Sequence, residues 1–426
     1  MSYTHQEKDI INKMDKDYGK SFCVKAFTEI ATSSNGNLKL CCFSEQVGPN
    51  NKVYYSDKFD NVFYNNEELV SIRKAMLEGK PIRECRNCYV EEESGVISPR
   101  QEHNFLFHES NKVLFDDIVK NNKSKIKTID LKFGNKCNYA CIMCDPSSSS
   151  LHSKEIEKNP IPEIVSEVTN NKLKPTYFDF PDEKMIELLD ISSEVTRVKS
   201  TGGEPFLLEG FKDYIKKLVD KGYSKNIEFH TVSNGTIDCT DLLPYFNEFK
   251  KFVLRWSVDG TDEVYNFIRY PGNFNRMNRI HKRTSEAIID NGYKNIHITL
   301  DPTAQLFNLH NLIDILKYGD SLGAVKDVTF GYIYRDPKYL DTALMPIEML
   351  EDIFNEYDNQ ISSIKVKNNY STLKELIFRK HNEYTQEQKQ VYFKMTEVMI
   401  EYWKKVRNLD VYDHIPTYSK LKKYYT

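Results

Sequence analysis

Lys132-Phe133-Gly134-Asn135-Lys136-Cys137-Asn138-Tyr139-Ala140-Cys141-Ile142-Met143-Cys144 is the stretch on which the fold turns. It follows an apolar, strand-like run that begins at Ile126, and it sets three cysteines in the spacing C-x3-C-x2-C. Three thiolates this close together converge on one centre. A structural zinc site takes four ligands and an iron-sulfur cluster usually takes four thiolates, so a local trio points to a cluster with one iron left open to a substrate or cofactor. Most of a zinc site is the blander reading of the same residues.

Working outward, apolar and β-branched runs alternate with longer amphipathic segments. The strand candidates are 126–133, 195–200, 227–232, 252–258, 296–300 and 328–333. Strands separated in this way by helical patterns predict βαβ units and an α/β fold with a parallel sheet or barrel, in which chemistry gathers at the strand C-terminal ends. The cysteine trio follows the first strand, Gly202-Gly203-Glu204-Pro205 the second, Ser233-Asn234-Gly235 the third and Ser257-Val258-Asp259-Gly260 the fourth.

The six other cysteines are Cys23, Cys41, Cys42, Cys85, Cys88 and Cys239. Residues 22–30 alternate roughly like a strand, Ser33-Ser34-Asn35-Gly36-Asn37 is turn chemistry, and Leu38 to Leu40 leads into Cys41, so a hairpin is predicted to clip Cys23 to Cys41. Asn66 caps a predicted helix carrying Leu69, Ile72, Ala75 and Met76, which Gly79 and Pro81 end just before the Cys85-x-x-Cys88 pair. Cys239 reads as a buried or incidental thiol, with hydrogen-atom donation as the functional alternative.

A chain of 426 residues with a net charge of -3 is long enough for a large domain with a smaller one attached, and its charge balance gives no global sign of nucleic-acid binding. Residues 1–10 lack a basic region followed by an apolar core, and no run approaches the roughly 18 apolar residues of a spanning helix. A soluble, cytoplasmic protein with no membrane partner is therefore expected, and in that compartment clustered cysteines read as metal ligands.

The conjunction of C-x3-C-x2-C after one strand and Gly-Gly-Glu-Pro after the next resembles the radical S-adenosylmethionine (radical SAM) enzymes. The resemblance implies a partial (β/α)6 TIM-like barrel holding a [4Fe-4S] cluster on Cys137, Cys141 and Cys144. It implies that Gly202, Gly203 and Glu204 hold the amino group of S-adenosylmethionine, that Ser233, Asn234 and Ser257 lie near its methionyl or ribose end, and that Arg269 takes its carboxylate. Asp259 either contacts the ribose or caps the following helix. Family members commonly carry an aromatic residue before the third cysteine; this chain has Met143, so adenine packing falls to Met143 or Tyr139.

Cys23, Cys41, Cys85 and Cys88 are similar to the twitch module, a shortened SPASM domain, here placed before the barrel. The similarity implies an auxiliary [4Fe-4S] cluster, with Cys42 as an alternative to Cys41 and a four-cysteine zinc ribbon as the competing site. The expected organisation is a small α+β module over 1–120, a barrel over 121–340 and a helical extension over 341–426. That extension has six more Lys and Arg than Asp and Glu over 361–426 with tyrosines interleaved. It reads as an amphipathic helix carrying Val391, Met395, Val398, Met399 and Trp403 on its packed face, or as a surface for RNA or peptide.

Together these features imply an enzyme that cleaves S-adenosylmethionine reductively, forms a 5'-deoxyadenosyl radical and abstracts hydrogen. A peptide or protein side chain is the first substrate reading, undergoing dehydrogenation, cross-linking or epimerisation, and a carbohydrate, nucleoside or other small metabolite the second. A one-electron donor such as flavodoxin or ferredoxin is the implied partner. The rival from another class is a non-catalytic zinc protein that binds nucleic acid.

Overall fold

The computed structural model describes residues 4–48, 58–93, 95, 97–168, 173–178, 180–333 and 336–425; Met1 to Tyr3 of the amino-terminal stretch lie outside them. The fold is mixed α/β and divides into two compact units, each discontinuous in sequence. The first comprises residues 1–134, 178–201 and 213–229; the second comprises 135–177, 202–212 and 230–426.

In the first unit β1 (Glu29–Thr32) pairs antiparallel with β2 (Leu38–Lys39) and parallel with β3 (Thr128–Lys132), which pairs parallel with β4 (Arg197–Thr201). The register sets Ile30 beside Ile129 and Ile129 beside Val198 on one face, all three essentially inaccessible. By alternation the other face carries Glu29, Asp130 and Lys199. The predicted hairpin turn forms, since Ser33 and Asn37 exchange backbone and side-chain bonds across it. The strand expected over 22–30 does not: Lys25–Thr28 is a single helical turn, and β1 starts only at Glu29. Alternation misleads here because Ala26, Phe27 and Thr28 are all buried, so no face of the segment is distinguished by polarity. The helix Glu67–Leu77 is capped as expected, with the Asn66 side chain accepting from the Leu69 N–H at 3.0 Å.

The chain passes from the first unit to the second within β5 (Glu228–Ser233). In the second unit β6 (Lys251–Trp256), β7 (Ile296–Leu300), β9 (Val325–Val328) and β11 (Lys367–Asn368) pair successively in parallel, while β8 (Thr303–Ala304) pairs with β10 (Gly331–Tyr332). The strand predicted over 328–333 is thus two pieces. Between them the Asn369 amide accepts from the Phe330 N–H at 2.8 Å and donates to the Phe330 carbonyl at 3.0 Å, taking the place of a sheet partner.

The long C-terminal helix Gln386–Arg407 opens with a Thr385 capping box and packs Phe393, Met395, Met399, Ile400, Tyr402 and Trp403 inward. Met395, Met399 and Trp403 lie on the packed face as expected, while Val391 is exposed and Val398 only half-buried, the rest of the face being made by Phe393, Ile400 and Tyr402. Trp403 meets Phe267, Phe307 and Tyr339, and Tyr370, Tyr402 and Tyr418 are buried, so these interleaved aromatics serve packing. At its end the fully buried Arg407 side chain makes a two-pronged bond to Glu155, at 2.9 and 2.7 Å. Glu155 belongs to the helix Ser150–Lys158, the first after the cysteine trio. Arg407→Met strands a buried carboxylate and is expected to cost ~3–5 kcal/mol, read as lowered resistance to chemical denaturation; a change within error of zero would show the pair is dispensable.

Candidate active site

The cysteine loop is held by backbone contacts on both sides. Cys137 N–H donates to Ser150 Oγ at 3.2 Å, the Asn135 carbonyl accepts from Ser150 N–H at 2.7 Å, and Ser149 Oγ donates to the Tyr139 carbonyl. From the other side the carbonyls of Tyr270 and Ile268 accept from Ala140 and Ile142, at 2.6 and 3.0 Å. Ser147 to Ser150, readable in sequence only as a loop, therefore supplies the clasp. All nine cysteines are free thiols. Burial pushes the Cys137 thiol up to about 12 and raises Cys141 and Cys144 as well, and Cys144 feels the charge of both others. Arg269 opposes the rise at all three. Buried thiols with a nearby guanidinium suit a cationic metal group that exchanges their protons for coordination. Among the described residues no three His, Cys, Asp or Glu side chains are arranged to hold a single metal ion.

The Gly202-Gly203-Glu204 segment lies directly against this loop. Glu204 N–H donates to the Lys136 carbonyl at 2.8 Å, and a β-carbon on residue 203 would stand 2.2 Å from that same oxygen. Glycine at 203 is therefore required by the cysteine loop's own backbone, and the φ of +125° at Gly202 suits glycine as well. The Glu204 side chain is buried and ties down the third loop: Oε1 accepts from Ser233 Oγ at 2.9 Å and from Phe206 N–H at 3.2 Å, and Oε2 accepts from Asn234 N–H at 2.7 Å. Desolvation outweighs these donors and holds the carboxyl at about 7. Two residues that the sequence reading passed over complete the stitching. Asn138 donates to Thr236 Oγ1 at 2.9 Å and accepts from the Asn234 amide at 2.8 Å. Their only signal in the sequence is position, inside the cysteine spacing and just past Ser233.

Ser257 N–H donates to the Ser233 carbonyl at 2.9 Å, joining the fourth loop to the third. Asp259 does not cap the following helix Asp262–Ile268, whose N-cap position is Thr261. Its buried carboxylate takes Arg269 at 2.5 and 2.6 Å on one oxygen and the Thr303 N–H at 2.6 Å on the other. Arg269 Nε and Nη2 are thus engaged by Asp259, while its charge faces Cys141. Tyr139 is buried with its hydroxyl 3.2 Å from that of Tyr265, and Met143 is half-buried between Cys141 and Cys144. Cys239 is buried, its thiol pushed up to about 12 chiefly by desolvation.

In the first unit Cys23, Cys41, Cys42, Cys85 and Cys88 line one pocket. Cys23, Cys41, Cys85 and Cys88 are buried and Cys42 is exposed. Burial is the leading cause that pushes Cys23 and Cys88 up to about 11 and Cys41 to about 12, with Cys85 raised further, and Cys85 feels the charge of the other three. The Cys85-x-x-Cys88 pair spans a 3-10 turn, Arg83–Cys85, and the start of the helix Arg86–Glu93. Ser44 Oγ fixes the Cys41 turn by accepting from Leu40 N–H at 3.0 Å.

Residues 131–303 match the model of the Radical SAM superfamily, which covers the cysteine trio and all four strand-end loops. This segment has the features of a radical SAM domain. No curated protein matches the chain in sequence. Among solved structures it is similar to SuiB of Streptococcus suis at 13% identity and a TM-score of 0.38, over 71% of this chain and 63% of that one. SuiB bound to precursor peptide SuiA matches at 12% identity and a TM-score of 0.40, over 67% and 61%. Coproporphyrinogen III oxidase (HemN) of Escherichia coli matches at 10% and 0.33, over 70% and 56%. The chain thus spans less than two thirds of the length of each of these proteins.

Gly203→Ala is expected to destabilise the second unit by about 2 kcal/mol or more, because the new methyl meets an immobile backbone carbonyl; retention of full stability in a denaturant titration would refute the close approach. Glu204 has a linked pH signature. A carboxyl near 7 when folded and at its ordinary 4.5 when unfolded stabilises the fold fully below the unfolded value, and that contribution is lost as pH rises through about 7. The stability difference between the apoprotein and Glu204→Gln should therefore change by about 3 kcal/mol between pH 4 and 8, in favour of the variant at high pH. A pH-independent difference would rule out the raised carboxyl.

Proposed function

We propose that the protein is a two-cluster radical SAM enzyme that abstracts hydrogen from a peptide or protein side chain. The observation that carries the radical reading is the stitching of Cys137, Cys141 and Cys144 to the Gly202-Gly203-Glu204 loop within a segment that matches the superfamily model. Cys137, Cys141 and Cys144 bind the first [4Fe-4S] cluster, leaving one iron open. When bound, that cluster and S-adenosylmethionine supply the 5'-deoxyadenosyl radical that removes a hydrogen atom.

The chain's own residues do the rest. Glu204, already fixed by three donors, offers a carboxylate to the cofactor's ammonium, and an ammonium alongside would pull its proton affinity back down. Arg269, anchored by Asp259, presents positive charge beside Cys141 and serves the cofactor carboxylate from that fixed position. Ser233, Asn234 and Ser257 set the backbone of the ribose side, and Met143 and Tyr139 are the groups nearest the cysteines able to pack on the adenine. In this reading residues 121–340 form the partial barrel and 341–426 the helical cover.

Cys23, Cys41, Cys85 and Cys88 bind the auxiliary [4Fe-4S] cluster in the 1–120 module. The support is that four buried thiols, mutually coupled and without disulfides, line one pocket, while the fifth, Cys42, has an exposed side chain. Thiols spread around a pocket match a multi-iron group better than the tight tetrahedron of a zinc ribbon. The choice of a peptide substrate rests on the likeness of this module to twitch domains. A flavodoxin- or ferredoxin-type donor supplies the electron, in the cytoplasm.

Anaerobic reconstitution of the full chain is expected to load about eight irons and to release 5'-deoxyadenosine from S-adenosylmethionine with a reductant. Replacing Cys137, Cys141 and Cys144 with alanine should leave about four irons and no nucleoside product. Zinc without iron, or nucleoside release that survives the triple replacement, would overturn the reading.

A further inference from the structure

The pocket lined by the N-terminal cysteines is also lined by Lys25, Arg100 and His103. Each of the two cations is backed by carboxylates that are not themselves on the pocket wall. Lys25 Nζ lies 2.7 Å from Glu29 Oε2, with side-chain exposures of 14% and 2%. Arg100 is bound by Glu92 at 2.8 Å and by Asp15 at 2.9 Å. The cationic residues thus line the pocket while their carboxylate partners do not. His103, pushed down to about 2 by burial and by Lys25, Arg197 and Lys199, is neutral and adds no charge.

The two cations are not equivalent. Arg100 is 1% exposed, donates to two carboxylates and to the Phe22 carbonyl, and is spent as a structural rivet. Lys25 has one carboxylate partner, and the charges of Cys41 and Cys42 act on it together with those of Glu29 and Asp130. Glu29 Oε1 is buried without a hydrogen-bond partner, so Lys25 is the donor that satisfies this carboxylate and its ammonium is fixed at the pocket edge. The backbone N–H of Lys25 also bonds the sulfur of Cys23, so the residue acts on the thiols twice. Asp130 and Lys199, 3.4 Å apart on the same strand face, compensate one another.

An iron-sulfur cluster on four thiolates is anionic and becomes more so on reduction, so a fixed buried cation stabilises the reduced state and raises the potential. The geometry points to Lys25 as the positioning residue that sets the potential of the auxiliary site, with Glu29 as the counter-ion that keeps it there. The proposal rests on the two-cluster reading above and adds to it a function for this site, that of accepting an electron rather than only bracing the fold.

The test uses the full chain with Cys137, Cys141 and Cys144 replaced by alanine, so that only the N-terminal site can load iron, and follows its potential by titration monitored with electron paramagnetic resonance. In this parent, Lys25→Met should shift the potential to more negative values at unchanged iron content, and Lys25→Arg should restore it. Glu29→Gln removes the counter-charge and should shift the potential the other way, a reversal of sign that loss of packing does not produce. Equal potentials in parent, Lys25→Met and Glu29→Gln at equal iron loading overturn the proposal alone. Failure of the parent to bind any iron-sulfur cluster overturns the two-cluster reading and the proposal with it. If Lys25→Met loses its iron, Glu29→Gln decides: a positive shift supports the assignment and an unchanged potential refutes it.

Discussion

The backbone carbonyl of Lys136 is the point on which the loops of the second unit depend. It accepts the Glu204 N–H and sits so close to residue 203 that only glycine leaves it room. That contact places Glu204 where its carboxylate gathers Ser233 and Asn234, and the Ser233 carbonyl in turn takes Ser257. Four loops from four strand ends thereby become one object, linked by bonds between groups remote in sequence. A cofactor that spans these loops meets a surface whose parts are already mutually fixed, so little ordering entropy is left to spend on binding.

Charge is placed with the same economy in both cysteine sites. Thiols that burial keeps protonated need cations nearby if they are to bind metal as thiolates, and each site provides them without leaving a cation unpaired. Arg269 does this beside Cys141 with Asp259 behind it, and Lys25 and Arg100 do it in the first unit with Glu29, Glu92 and Asp15 behind them. The arrangement also explains why Asp259 is not a cap: its oxygens hold Arg269 and the Thr303 backbone.

What was legible in the sequence was whatever a local pattern encodes. The close approach at Gly203, the Asn66 cap and most of the strand runs each depend on residues a few positions apart, and the structure carries them. Lys25–Thr28 did not, because a segment buried on all sides shows no amphipathic period to distinguish a helical turn from a strand. The break at Phe330 was invisible for another reason, since it is made by the amide of Asn369, a residue 39 positions away. Asn138 and Thr236 escaped notice because nothing in their neighbourhoods announces that they meet. Glycine 203 was read as a close approach to a cofactor, and the structure adds the protein's own backbone at Lys136 as a neighbour.

The bond between Arg407 and Glu155 joins residues 252 positions apart. During synthesis the helix that follows the cysteines must therefore wait for most of the remaining chain to leave the ribosome before its last buried charge is neutralised. Until then the Glu155 carboxylate lacks that partner.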